Sequence, residues 1–579
     1  MFSNTELRDF FFVPEETSFP QTENQRAYEI CSILFTFTLT YLCWKIKVTQ
    51  SRRFLYKSII KKEDSFCESE FSTASEVSNG DCKTQQSEPT ETPRKHNDII
   101  AKFQVYNKNT STFYTLLQEA FFFVFPIFLV FTNFRGLFIT NLSFSLYALY
   151  LYSKIRLIHA SDKESLLQVE INAKNGLNRL KNGSNSNVNY IEYINVYRAI
   201  MMLMTCFSIL AVDFPIYPRR FRKTHDYGVS LMDIGVGCFV FASGAVGYRS
   251  FCRATNPKTK HKSIFSAVST AFNGAKFVLA LGLFRLILTK LLNYGVDEAE
   301  YGVHWNFFFT LGILPIAISL VYYVFPRYSL FTCICAFLYQ IVLVYGGLEN
   351  YIMSAERTHF ISANREGIFS LFGYLFLYFC GLRLGQEIFV DQLSEADRES
   401  YCNRINETNM SQTKISNNKS YQRTFCLRVF LLFMAFFMLF VATQLIGWRV
   451  SRRSANTPYI LLVAWINTLL VWSFIVCENL VLGRLFRSRI YIDKLQKFNF
   501  TNLGFSEPNI MHAINYNGLF VFLVANILTG LVNLGFRSFV VPNDTRYASY
   551  TVSFLILFLY MSILVVLSVV LAKYQIRIR

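Results

Sequence analysis

The chain alternates between long apolar stretches and shorter polar, charge-bearing ones along most of its length. A helix needs roughly 20 largely apolar residues to cross about 30 Å of hydrocarbon, and about thirteen windows of that kind are legible. They lie near Ala27–Ile46, Tyr114–Thr132, Leu137–Tyr152, Val196–Val212, Val229–Gly247, Phe272–Leu292 and Phe307–Val324. The others lie near Leu330–Gly347, Ile368–Gln386, Phe425–Ile446, Tyr459–Cys477, Ala513–Phe536 and Ala548–Ala572. The pattern predicts an all-α polytopic membrane protein with about thirteen transmembrane helices. Residues 1–26 precede the first helix at 27–46, and a polar loop fills 47–113. A multi-span membrane domain occupies 114–579 and is interrupted by a second polar loop at 387–424. Both loops are rich in polar residues and charge, too poor in apolar surface to fold alone, and read as flexible cytosolic segments.

Basic residues set the sidedness. In the tail Lys573-Tyr574-Gln575-Ile576-Arg577-Ile578-Arg579 every charged side chain is positive, which puts the C-terminus in the cytosol. An odd number of spans then puts the acidic N-terminal segment (Glu6, Asp9, Glu15, Glu16) in the lumen. The basic loop Tyr248–Lys262 falls on the cytosolic side and the acidic loop Tyr294–Asn306 on the lumenal one. One loop dissents: Gly447–Thr457 places Arg449, Arg452 and Arg453 in the lumen, as an anion site would.

Composition excludes several classes. Of 579 residues, 52% are hydrophobic and 17% charged, against about 25% charged in soluble chains. The mean hydropathy is +0.28. A disordered chain, a disulfide-rich secreted domain and a conventional soluble enzyme are ruled out. The net charge of +18 belongs to cytosolic loops under the positive-inside rule, so nucleic acid is not an expected partner. The 13 Cys are scattered, many inside apolar runs, with no CxxC pair and no metal-ligand spacing. They read as small hydrophobes, and no metal site is expected. No cleavable signal peptide is legible in the acidic first 25 residues. The sequons at Asn409 and Asn418 fall in predicted cytosolic segments, and the one at Asn543 lies close to two spans.

The densest polar cluster beside an apolar span runs from Asp213 to Gly228. Pro215 and Pro218 bar a helix there, so the segment is a shaped loop, packed against protein rather than lipid. Asp213 can act as a general base, and Lys223 can orient that carboxylate or stabilise an oxyanion. Arg219 and Arg220 suit a phosphate, because guanidinium forks bind its oxygens bidentately. The plainer reading is a helix cap with interfacial anchors. Asp233, Lys276 and Arg285 fall inside predicted spans, where ionisable groups mark a pathway or a buried pair. Asp233 with Lys276 makes a plausible ion pair of supporting character. Gly235, Gly237, Ser243, Gly244 and Gly247 give the fifth span a small-residue lining suited to close helix packing. His304, Asn364 and the amide-rich helix with Asn526 and Asn533 add polar chemistry on the lumenal side as head-group candidates, the helix being suited to hydrogen-bonding a polyol or other helices.

These residues carry a resemblance. Leu210–Phe221 with its Asp213-Phe214-Pro215, continued by Lys223 and Ser230–Gly237, closely resembles the GPI-anchor inositol acyltransferases, the PIG-W family. So do Tyr301–Phe308, Asn364–Ile368, Ser451–Asn456 and Asn526–Asn533, in family order. The resemblance implies a multi-pass enzyme of the endoplasmic reticulum membrane. Its reaction would move a fatty acyl chain, usually palmitoyl, from acyl-CoA to the inositol 2-hydroxyl of glucosaminyl-phosphatidylinositol, with no permanently bound cofactor. It also implies catalytic roles for Asp213 and Lys223. Arg219, Arg220, Arg452 and Arg453 become candidates for the phosphates of either substrate, beside membrane lipids as the surrounding partners. A transporter or flippase built on the buried charges is the rival from another class, and a non-catalytic scaffold subunit is a third.

Overall fold

The computed structural model describes residues 26–48, 112–130, 134–161, 192–255 apart from 215, 264–291, 298–324, 328–389, 418–485, 508–539 and 550–578. Residues 1–25 and nearly all of the loop expected at 47–113 lie outside these, as do the sequons at Asn409 and Asn543. Among the described residues the regular structure is wholly helical. In chain order the helices are α1 (Arg26–Val48), α2 (Thr112–Phe123), α3 (Phe125–Val130), α4 (Phe134–Ser161), α5 (Glu192–Ala211) and α6 (Leu231–Thr255). There follow α7 (Ile264–Leu291), α8 (Glu298–Tyr301), α9 (Phe307–Val324), α10 (Tyr328–Val344), α11 (Leu348–Ser354) and α12 (Phe360–Ala363). The last six are α13 (Arg365–Phe389), α14 (Asn418–Leu445), α15 (Thr457–Leu485), α16 (Asn509–Tyr516), α17 (Gly518–Phe539) and α18 (Tyr550–Lys573). The second polar loop is therefore shorter than 387–424, since α13 runs to Phe389 and α14 starts at Asn418.

Among the described residues eight helices are long and apolar enough to cross a membrane: α1, α5, α6, α7, α13, α14, α15 and α18. The chain is a polytopic α-helical membrane protein. Two predicted spans meet a bend. The window at Leu330–Gly347 covers α10 and ends where the chain turns by 65° into α11, and the one at Ala513–Phe536 bends by 85° between α16 and α17. Gly347 makes the first bend with a left-handed φ of 71°, a conformation that costs glycine little. At the second, Asn517 bonds the backbone of the C-terminal tail, donating to the Ile576 carbonyl and accepting from Ile578 N–H. The three remaining windows fall on shorter apolar stretches, Tyr114–Leu129, Leu137–Ser153 and Phe307–Val321.

The centre of the bundle is the contact of α6 with α13. A Cβ on Gly244 would overlap the Tyr378 carbonyl, and one on Gly381 would overlap the Phe241 carbonyl, so the two backbones touch. This is the small-residue packing that membrane helices use when lipid removes most of the hydrophobic drive for association. Gly237 and Gly247 press on side chains, Tyr459 with Val463 and Tyr378 respectively. Gly235 alone of these glycines has no atom within 4 Å of where its Cβ would stand. Gly381→Ala is expected to lower stability by about 1–3 kcal/mol through overpacking. Gly274→Ala, on the exposed side of α7 with nothing within 4 Å, should gain up to about 1 kcal/mol from helix propensity. Thermal unfolding of both variants in detergent checks the pair, and equal melting temperatures would contradict the packing.

Candidate active site

The loops that join the helices at one end of the bundle interlock. Gly228 N–H donates to Val450 O, Val303 N–H to Ala363 O, and the Tyr339 hydroxyl to Ser454 O. Side chains start three of the helices here. Ser230 Oγ accepts from Asp233 N–H at the head of α6, Asn306 Oδ1 from Phe308 and Phe309 N–H at α9, and Asn456 Oδ1 from Tyr459 N–H at α15. Each satisfies amides that a helix start leaves without internal partners. Gly302, at φ 102°, lies so close to Ala363 and Asn364 that a Cβ would stand 2.5 Å from their backbone atoms. Asn364, fully buried, accepts from His304 and Trp305 N–H with Oδ1 and donates to Phe360 O. It is a brace for this turn rather than a free head-group ligand.

Beneath the loops lies a layer of buried ion pairs. Asp233 accepts from Arg452 Nε at 2.9 Å and from the backbone N–H and hydroxyl of Thr224. This corrects the expected Asp233–Lys276 pair: Lys276 is exposed on α7 and sits 5.6 Å from the Phe277 ring. Burial works against the Arg452 charge, but Asp233 and Glu300 outweigh it and hold the guanidinium proton above the usual arginine range. Arg453 bridges Asp226 at 2.9 Å and Glu366 at 2.8 Å, and Arg357 reaches the same fully buried Glu366 at 2.7 Å. The three basic residues that dissented from the sidedness rule are thus largely explained without an anion: Arg452 and Arg453 are over nine-tenths buried and face carboxylates, and Arg449 packs over the Tyr227 ring. Glu366 lies in the Asn364–Ile368 segment at the head of α13. A single glutamate at a predicted helix start carries no sequence signal of three approaching arginines.

Above that layer the site is open. Asp213 follows the C-terminal end of α5 and is exposed. Its carboxylate accepts from Asn533 Nδ2 of α17 at 2.9 Å, and no cation lies within ion-pair distance of it among the described residues. Lys223 pairs with Glu300 of α8 rather than with Asp213. Arg220 donates to Glu29 of α1 at 2.7 Å and stacks on Phe221, while the Arg219 side chain lies outside what is described. His304 is half-buried, its ring near Phe360 and its Nδ1 3.5 Å from Asn364 Nδ2. Arg285 lines a small crevice with Glu300, Tyr301 and Asn306. Asn526 stands two turns below Asn533 on α17, exposed, its amide turned back onto Phe522 O. The structure therefore joins Asp213 with Asn533 and His304 with Asn364, and diverts Lys223, Arg220, Arg452 and Arg453 to carboxylates. A carboxylate exposed at a helix end, oriented by an amide and not neutralised by a cation, can take a proton from a hydroxyl.

Comparison with known proteins shows the family. The sequence matches the GWT1 family across residues 91–571. It is 37% identical over 350 residues to GPI-anchored wall transfer protein 1 of Aspergillus oryzae, covering 59% of this chain and 66% of that protein. The protein of the same name in Schizosaccharomyces pombe is 34% identical over 391 residues, 67% of this chain and 74% of its own. That of Candida glabrata is 34% identical over 458 residues, 76% and 87% respectively. The match thus spans just under two thirds of the Aspergillus relative and more of the other two. With the Asp213-Phe214-Pro215 loop, the Ser451–Asn456 knot and the α17 amides all inside the matched region, the chain belongs to the GWT1 family, the inositol acyltransferase family of GPI-anchor biosynthesis.

Proposed function

We propose that this protein is an O-acyltransferase that moves a fatty acyl chain, palmitoyl by family resemblance, from acyl-CoA to the inositol 2-hydroxyl of glucosaminyl-phosphatidylinositol. The observation that carries the reading is the exposed Asp213 carboxylate, held by the Asn533 amide and with no cation in ion-pair reach among the described residues. Asp213 accepts the hydroxyl proton as the inositol oxygen bonds to the thioester carbonyl carbon. The carbon–sulfur bond then breaks, and the proton returns to the departing thiolate, leaving an ester and free CoA. Lys223, tethered by Glu300, is suited to the charge that develops on the carbonyl oxygen, and its pairing argues against a role in orienting Asp213. Proximity supplies much of the rate, since the enzyme mainly has to position the head group against the thioester.

The proposal includes the setting. The protein lies in the endoplasmic reticulum membrane with thirteen spans, its N-terminus in the lumen and its C-terminus in the cytosol, and the Asp213 end faces the lumen. It works without a bound cofactor, and acyl-CoA is a co-substrate. The test is direct: purified protein, labelled acyl-CoA and glucosaminyl-phosphatidylinositol. The expected product carries label on inositol through an alkali-labile ester. Label moved across a vesicle membrane with no ester formed would sink the reading in favour of a carrier.

A further inference from the structure

The loop that carries Asp213 folds back on its own start. Tyr217 and Phe221 are buried, their ring centroids 6.1 Å apart, and the Tyr217 hydroxyl donates to the Phe221 carbonyl at 3.4 Å. A single 3-10 turn, Arg219–Phe221, reverses the chain between them. The next residue, Arg222, then donates from Nη2 to the Val212 carbonyl at 3.0 Å. That carbonyl belongs to the peptide bond leading into Asp213, so guanidinium and carboxylate are fixed to the same short stretch of backbone. Both side chains are exposed, and no carboxylate lies within ion-pair distance of Arg222 among the described residues. Its donors on Nε and Nη1 make no hydrogen bond among those residues either. Arg220, Arg452 and Arg453, by contrast, face Glu29, Asp233, and Asp226 with Glu366. A cation at the end of α5 satisfies a carbonyl that the helix leaves open, but this uses only part of the guanidinium and leaves its charge unanswered.

We infer that Arg222 binds the phosphodiester of the acceptor lipid and thereby sets the inositol ring against Asp213. The inference rests on the acyl-transfer reading and adds the group that orients the acceptor. The acceptor's own chemistry selects this phosphate. In an inositol phospholipid the phosphate is attached to the ring carbon next to the one bearing the 2-hydroxyl. A phosphate held beside Asp213 therefore brings that hydroxyl to the carboxylate. CoA carries its phosphates beyond the pantetheine arm, far from the thioester carbon, and with the thioester at Asp213 they lie out of reach of Arg222. Charge supplies a second reason. The acceptor brings an anion close to the Asp213 carboxylate, and the two repel unless a cation stands near both. Arg222 supplies that cation without forming the ion pair that would neutralise the base. Its planar fork matches two phosphate oxygens. Neighbouring residues then divide the work: Arg222 orients the acceptor, while Lys223, tethered by Glu300, serves the thioester oxygen.

The experiment uses the full-length protein in phosphatidylcholine vesicles with acyl-CoA and two acceptors. One is glucosaminyl-phosphatidylinositol, the other its methyl phosphotriester, which is uncharged at phosphorus. The parent should favour the charged acceptor in kcat/KM by about ten- to a hundredfold, the usual worth of hydrogen bonds between charged groups. Arg222→Gln should raise KM for the charged acceptor by a similar factor, leave KM for acyl-CoA in place, and treat the two acceptors nearly alike. Arg222→Lys should restore part of the preference, because a point charge keeps the attraction and loses the fork. Were Arg222 only a cap on α5, Arg222→Gln would lower kcat for both acceptors equally and keep the preference, which overturns the inference. A rise in KM for acyl-CoA alone also overturns it and gives the guanidinium to CoA. The parent's own comparison of the two acceptors needs no substitution, and a parent indifferent to the methyl group overturns the inference while acyl transfer stands. If the parent transfers nothing, photoreactive forms of the two lipids read the site apart from the reaction. Capture of the charged lipid that depends on Arg222 supports the site, and equal capture of both by parent and variant overturns it.

Discussion

Asp213→Asn is expected to lower kcat for inositol acylation by about 10²–10⁴-fold, the usual worth of a general base, while leaving the melting temperature unchanged. The asymmetry follows from where the residue stands. Asp213 is exposed and, among the described residues, its carboxylate makes one side-chain hydrogen bond, to Asn533, so the fold loses little when the charge is removed. Asparagine keeps the size and an acceptor but cannot take up a proton. Asn533→Ala is expected to fall between parent and Asp213→Asn. It removes a hydrogen bond to a charged group, worth about 1.5–3 kcal/mol, which orients the base without supplying the chemistry. The measurement is single-turnover acylation with saturating acyl-CoA, beside thermal unfolding of the same preparations. Asp213→Asn turning over at the parental rate would remove the proposed base. A large fall in melting temperature would instead place Asp213 among the structural groups.

The opposite profile is expected one layer down. Glu366→Gln should destabilise the protein by about 3–5 kcal/mol, because removing one member of a buried ion cluster leaves charge uncompensated. Glu366 is fully buried and faces Arg453 and Arg357 at 2.8 and 2.7 Å, with Arg365 at 3.6 Å. Glutamine can accept from one of them but cancels none of their charge. These arginines also hold the loops together: Arg453 reaches across to Asp226, and Arg357 donates to the Ala363 and Glu298 carbonyls. The variant should therefore show loss of folded protein and a lowered melting temperature, with activity per folded molecule largely retained. Asp233→Asn should behave alike, since it strands Arg452. In that simpler pair, Asp233→Leu combined with Arg452→Met should recover part of the loss, as replacing a buried pair by apolar groups often does. A Glu366→Gln protein as stable as the parent would contradict the cluster.

The two profiles separate residues that looked alike as a sequence. Asp213, Asp233, Lys223, Arg452 and Arg453 all read as polar chemistry beside apolar spans. The helix starts are held locally, Ser230 and Asp233, or Asn456 and Tyr459, being three residues apart. The glycine stripe of α6 was legible as packing, but not that Gly235 would face open space while Gly244 touches a backbone. The bend at Gly347 closes one window and the bend at Asn517 lies inside another, and average hydropathy marks neither.

What the sequence alone determined is the class of object: a bundle of apolar helices with its polar groups gathered in the connecting loops. Hydrocarbon demands long uncharged segments with their backbone bonds closed internally, and that demand is written residue by residue. It also carried the family, through short motifs in a constant order. The pairing of charges was decided only by the tertiary structure. Arg452 meets Asp233 across 219 positions, Arg453 meets Glu366 across 87, and Asn533 meets Asp213 across 320. At such separations the partner of a buried charge depends on which helix ends come together. That is set by packing of whole helices, where no local preference favours Arg452 over Lys276.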